Sequence, residues 1–474
     1  MHVNPLISLS AIDVVESLRR GEVSPHQLLD ALEERISEVD PAVNALPTLC
    51  FARAREHADH LLTQPMAARG ALCGLPVPIK DLTDVAGVRS TRGSPIFAQH
   101  VPDHSDLLVQ HLEAQGGLVY AKSNTPEFGA GGNTFNEVFG ATLNPWDTRM
   151  SAAGSSGGAA VALATGMAWV AHGSDFAGSL RSPASFCNIV GFRPTPGAVA
   201  RTPGPKIDDL LSVEGPMART VADCALLFDA MCGRNARDPV SRPAGASALA
   251  ATRTQWRPAR VAYSSDLGIT PVDCEVAALT AQAASRFAAL GAVVEHAHPD
   301  MTGLHACFGT LRAFAFATSK AGLLTTHRAL LKPEVIWNIE KGLALTSADL
   351  ARAEEQRARL CAGMHAFFDD YDLLLCPATI VPPYPVAHRH VAQCNGVEFG
   401  NYVEWLAIAY AISVVGSPAM SLPCGFTGSG LPVGLQIVGR AGDDARVFAG
   451  AAALEAVLGL ETGRPIMPRI HAQV

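Results

Sequence analysis

The chain opens on apolar positions at helical spacing. Ser10, Asp13 and Gly21 bracket one amphipathic run; Ser24, Pro25 and Gln27 precede a second, whose Leu28, Leu32, Ile36 and Val39 share a face up to Pro41. Side-chain oxygens satisfy the free N–H groups of a first turn, and glycine or proline ends a helix. The pattern therefore predicts two capped helices in an N-terminal layer over residues 1–62. From residue 70 to about 197 the period changes to short apolar runs (LPVPI, GGLVYA, MAWVAHG) between glycine-rich turns and helix-like segments. That alternation predicts an α/β sheet. Residues 234–258 are polar and aperiodic and read as a long surface connection rather than a domain boundary. Strand-like RVAYS follows, then a mostly helical stretch from about 275 to 370 interrupted by GAVVEHAH. DLLLCPA comes next, and PAMSLPCGFTGSGLPVGLQIVG reads as two paired strands.

Composition narrows the function classes. Apolar residues are 48% of the 474 and charged residues 17%, against about 25% charged in an ordinary globular chain, which excludes intrinsic disorder. Net charge is −8 with no basic stripe, so nucleic acid and anionic membrane are not expected partners. The eleven cysteines include no CxxC pair and read as reduced thiols of a cytoplasmic protein. The first residues lack a basic stretch followed by an apolar one, which argues against a signal peptide. The longest apolar stretches, 159–171 and 406–415, are shorter than the roughly 20 residues of a spanning helix.

Three segments carry candidate chemistry. In LPVPIKD, Lys80 ends a run that reads as a buried strand. Burial would lower its pKa toward that of a general base, whereas a salt bridge to Asp81 or a path to solvent would keep it an ordinary lysine. In Gly154-Ser155-Ser156-Gly157-Gly158, a glycine-rich turn opens a helix of small residues and presents N–H groups and hydroxyls at its N-terminus. In GSDFAGSLRSP, the N–H groups of Phe176, Ala177, Gly178 and Ser179 could converge on one oxyanion, with Asp175 and Arg181 pairing to fix the turn. Other combinations carry less. His172, Asp175 and Ser179 lack a G-x-S-x-G elbow, and His388 with His390 lacks a third metal ligand, so no metal is expected. Gly129-Ala130-Gly131-Gly132 lacks the full dinucleotide fingerprint, and no lysine is preceded by glycine as a Walker A loop requires. Cys187 and Cys394 are candidates for a pocket wall.

Taken together, GLPVPIKDL, KSNTPEFG, FGATLNPWD, GSSGGAAVALATG, GSDFAGSLRSPASFC and GFRPTPG resemble the amidase signature family. Lys80, Ser155 and Ser179 are 75 and then 24 residues apart, similar to the separations in family members. The resemblance is dense over residues 70–235, weak over roughly 240–370, and returns near 371–378 and 417–440. It implies one α/β domain over 1–474, a twisted mixed sheet covered by helices. Within it, 70–235 is the catalytic signature region, 236–370 a variable helical region, and 371–474 the part completing the core. It further implies Ser179 as acylated nucleophile, Ser155 as a bridging serine on a cis peptide bond, and Lys80 as base, with Ser156, Asp175 and Arg181 bracing the loops and no cofactor. The expected activity is hydrolysis of an amide, anilide or carbamate C–N bond in a neutral, apolar or aryl small molecule, by a monomer or homodimer. Phe128, Gly129 and Gly131 are candidates for the substrate pocket. Phe135, Phe139, Phe176, Phe399, Tyr402 and Trp405 would extend an apolar cleft if their loops converge. The alternative is the glutaminase component of a transfer-RNA-dependent amidotransferase. The stretch TPGAVARTPGPKIDDLLS after Pro194 weakens it, because the Tyr-Gly and Ser-Ser-Leu-Asp run associated with that component is missing. Two further departures, Ala152-Ala153 for the family's Pro-Gly and Ala177 for its first glycine, remove no reacting group.

Overall fold

A computed structural model describes residues 4–460 and 463–470. Both expected N-terminal helices form. Ala11–Arg20 is capped by the Ser10 hydroxyl and closed by Gly21 in the left-handed region; Pro25–Val43 carries a reciprocal Ser24–Gln27 cap. Pro41 does not end the second helix, which continues to Val43 and a left-handed Asn44. Proline in the last turn forfeits one N–H bond. Asp40 holds the exit instead: its carbonyl accepts Asn44 N–H at 2.8 Å and its carboxylate accepts Ala45 N–H at 2.7 Å.

The centre is an eight-stranded mixed sheet. Its spatial order is Val293–His296, Arg260–Tyr263, Leu373–Pro377, Pro432–Val438, Ala419–Phe426, Val190–Arg193, Val213–Ala218 and Val170–Asp175. The first two pairings are parallel and the rest antiparallel, the C-terminal hairpin being the pair expected from sequence. Every residue of Leu373–Pro377, Pro432–Val438, Val190–Arg193 and Val170–Asp175 is buried, because helices cover both faces. The strand Pro76–Lys80 belongs instead to a small three-stranded sheet with Leu118–Ser123 and Thr48–Leu49. Between the two sheets lies the helix Gly157–Ala164, all eight residues buried; only small side chains allow that approach. The connection over 234–258 is tied down rather than free, since Asp229 accepts bonds from Ser247 and Ala248 at the start of a short helix, Ala248–Thr252. The helix Leu304–His327 packs against both Pro333–Leu343 and Ser347–Asp370. Among the described residues, no helix is long and apolar enough to cross a membrane.

Candidate active site

Lys80 stands at the end of its strand with no exposed surface. Its backbone N–H donates to His172 Nδ1 at 3.2 Å, so His172 carries its proton on Nε2, which faces Glu214 at 2.8 Å. Lys80 Nζ lies 2.7 Å from Ser155 Oγ, 2.8 Å from Ser156 Oγ and 3.0 Å from Ser174 Oγ, and donates to Ser174 O at 3.2 Å. Asp81 is not its partner. That carboxylate takes Thr91 and a second buried lysine, Lys122, at 3.3 Å. Lys80 thus sits among neutral oxygens. Burial lowers its pKa to about 7, the charges of Glu214 and Asp175 opposing this in part.

Ser155 follows a cis Gly154–Ser155 peptide and is 3% exposed. Ser156 ties the two glycine-rich segments together: its N–H donates to Ser179 O at 3.2 Å and its hydroxyl to Ser174 O at 3.3 Å. Ser179 is half-buried and lines the same cavity as Ser155 and Ser174. Among the described residues, no hydrogen bond joins the Ser155 and Ser179 hydroxyls. The turn between Asp175 and Leu180 depends on Gly178, whose φ is +107°; a Cβ there would come within 2.6 Å of Ala409 Cβ. One part of the expected oxyanion site does not hold. Gly178 N–H is spent on Asp175 Oδ1 at 2.9 Å, while those of Phe176, Ala177 and Ser179 meet no acceptor among the described residues.

Asp175 and Arg181 pair as expected, both fully buried, at 2.9 Å. Arg193, not singled out from sequence, completes the cluster at 3.2 Å; the Ala409 carbonyl, Gln436 and Ser413 take the remaining Arg181 donors. Burial raises the Asp175 carboxyl, and the two guanidiniums more than reverse this, holding it well below the usual carboxylate range. Asp175→Asn would strand two buried cations. We expect a loss of about 3–5 kcal/mol in unfolding free energy, read from urea denaturation. A loss under about 1 kcal/mol would show that the turn does not depend on this charge.

The cavity has a volume of about 560 Å³. Phe128, Gly129 and Phe176 line it, with Arg312, Phe316 and Lys320 contributed by the helix Leu304–His327. Gly131 does not line it; a Cβ there would face Lys332 Nζ at 3.4 Å. The other aromatic residues do not converge either. Phe135 lies under Lys332 and Arg389 in a separate recess, Phe139 under Arg89, and Trp405 is buried against Gly132. Tyr402 is bonded to Arg312 and Asn338, and Phe399 packs on the core. Cys187 and Cys394 are core residues. Phe399, Tyr402 and Trp405 belong to one core cluster, whereas Phe135 and Phe139 lie under cations, a separation that a list of nearby aromatic residues cannot reveal. Among the described residues, no group of three or more histidine, cysteine or acidic side chains is placed to hold a metal.

The Amidase family profile matches residues 27–448. An acylamidase of Rhodococcus erythropolis is 35% identical over 456 residues, 95% of each chain. A glutamyl-tRNA(Gln) amidotransferase component of Moorella thermoacetica is 33% identical, covering 95% of this chain and 96% of its own. Among solved structures, a bacterial aryl acylamidase of the amidase signature family superposes with a TM-score of 0.89 at 29% identity, covering 98% of this chain and all of that one. The chain belongs to the amidase signature family and is an amidase acting on C–N bonds other than peptide bonds.

Proposed function

We propose that the protein is a stand-alone hydrolase of amide, anilide or carbamate bonds that works through an acyl-enzyme on Ser179. The observation that carries this is Lys80 Nζ, fully buried, 2.7 Å from Ser155 Oγ and, among the described residues, without an ion-paired carboxylate. A neutral amine there takes the Ser155 proton as Ser155 takes that of Ser179, whose oxygen attacks the carbonyl carbon. Negative charge then develops on the carbonyl oxygen, within reach of the free N–H groups of the 176–179 turn. Ser155 returns the proton to the departing amine as the C–N bond breaks. Water hydrolyses the ester by the same relay in reverse. Phe128 and Phe176 supply apolar surface for an aryl or alkyl part. The eleven free cysteines fit a reducing compartment, the cytoplasm.

The similarity to an amidotransferase component favours a second reading, glutamine hydrolysis within a complex. A panel of glutamine, para-nitroanilides and aryl carbamates separates the two with purified protein. Turnover of anilides or carbamates by the isolated chain supports the proposal; glutaminase activity that needs added partner chains, with no anilide cleavage, overturns it. Because Lys80, Ser155 and Ser179 carry all the proton transfers, EDTA is expected to leave turnover unchanged. Loss of activity restored by zinc would reject the relay.

A further inference from the structure

One wall of the cavity is an alternating column of rings and cations. Arg312, Phe316 and Lys320 are spaced four residues apart on the helix Leu304–His327 and all line the cavity. The Arg312 guanidinium lies 5.5 Å from the Phe176 ring and 4.8 Å from Phe316. Lys320 Nζ lies 5.7 Å from Phe316 and 5.0 Å from Phe128. The other cavity cations have carboxylates: Arg92 pairs with Asp84, Arg201 with Asp209 and Lys206 with Asp208. Arg312 and Lys320 form no ion pair among the described residues. Arg312 is only 5% exposed, yet its partners are neutral: Nε donates to Asn338 Oδ1 and Nη2 to Tyr402 Oη. Nη1 has no acceptor among the described residues. The acids across the cavity are engaged elsewhere, Asp106 by Leu108 and Thr202 N–H groups and Glu214 by His172.

Burying a guanidinium without a counter-charge is costly, and ring faces compensate only part of that cost. A ligand that brings its own negative charge removes the deficit, and a planar carboxylate matches the donor fork of arginine. We infer that this wall is a carboxylate subsite, so that the preferred substrates are amides or anilides bearing a carboxylate on the acyl or the amine portion. The inference rests on the proposed hydrolytic reading of Ser179 and names its substrate class.

Two isosteric substrate pairs test it. Glutaryl para-nitroanilide is compared with its branched-alkyl isostere, and para-acetamidobenzoate with para-isopropylacetanilide. In at least one pair we expect kcat/KM to favour the carboxylate by about tenfold or more, the scale of one charge-assisted hydrogen bond. That ratio should collapse toward one in Lys320→Met and Arg312→Gln and recover in part in Arg312→Lys. Because Arg312 also holds Asn338 and Tyr402, Lys320→Met is the variant that keeps the test clean; among the described residues the one side-chain hydrogen bond of Lys320 is to Ser319. A preference for the neutral member in both pairs, or a ratio unmoved in both variants, overturns the subsite. Calorimetry of glutarate binding to Ser179→Ala reads it without turnover. Saturable binding that Lys320→Met abolishes supports the subsite even if neither pair is cleaved, in which case the hydrolytic reading alone fails.

Discussion

Ser179→Ala is expected to lower turnover by a factor on the order of 10⁴ or more, because it removes the atom that forms the acyl bond and no neighbour can replace it. The fold should persist. The lost group is one hydroxyl on a half-buried side chain that accepts and donates no side-chain hydrogen bond among the described residues, and Gly178 and the Asp175 cluster hold the turn independently. A sulfonyl fluoride should modify the same oxygen, and peptide mass spectrometry should place the adduct on Ser179. Ser155 and Ser156 are the competing sites, since both hydroxyls touch Lys80 Nζ. An adduct on either of them, or a folded Ser179→Ala protein that keeps wild-type turnover, overturns the assignment.

What the sequence disclosed follows from how local each signal is. A strand ending in lysine, a glycine-rich turn into a helix of small residues, and an Asp-to-Arg turn around Ser179 each lie within a few residues, so their local shapes were legible. Convergence was not. Lys80 and Ser174 are 94 residues apart, and the hydroxyl cage forms because the strand Pro76–Lys80 of the small sheet packs directly against Val170–Asp175 at the edge of the large one. Asp81 was a natural partner by adjacency, but it lies in the turn just past the end of the strand, where Thr91 and Lys122 hold its carboxylate. Gly178 was a reasonable oxyanion donor by position, but its N–H caps Asp175, a bond that depends on a positive φ. Arg312 and Lys320 lie in the stretch where family resemblance is weakest. Their spacing shows a shared helix face, but nothing local shows that the face borders Ser155 and Ser179.

Lys80 should set the pH profile. With its pKa lowered to about 7 by burial, against about 10.4 in an exposed lysine, the neutral amine prevails from mildly alkaline pH upward. The acylation rate is therefore expected to rise through about pH 7 and level off. Lys80→Ala should remove nearly all activity and the rising limb with it. His172 has a different part: its Nδ1 accepts the Lys80 N–H and its Nε2 is engaged by Glu214, so neither nitrogen faces the Ser155 or Ser179 hydroxyl. His172→Ala is expected to keep the limb while lowering the rate through a less well held Lys80. The same shift has a sign for stability. Between about pH 7 and 10 the unfolded chain binds the proton that the folded chain has released. Wild-type stability should therefore rise with pH across that window by roughly a few kcal/mol, with the full penalty present below it. Lys80→Met should flatten that slope, measured as Tm against pH. If His172→Ala abolishes turnover in a folded protein while Lys80→Ala retains it, the relay from Lys80 through Ser155 to Ser179 is wrong and histidine is the base.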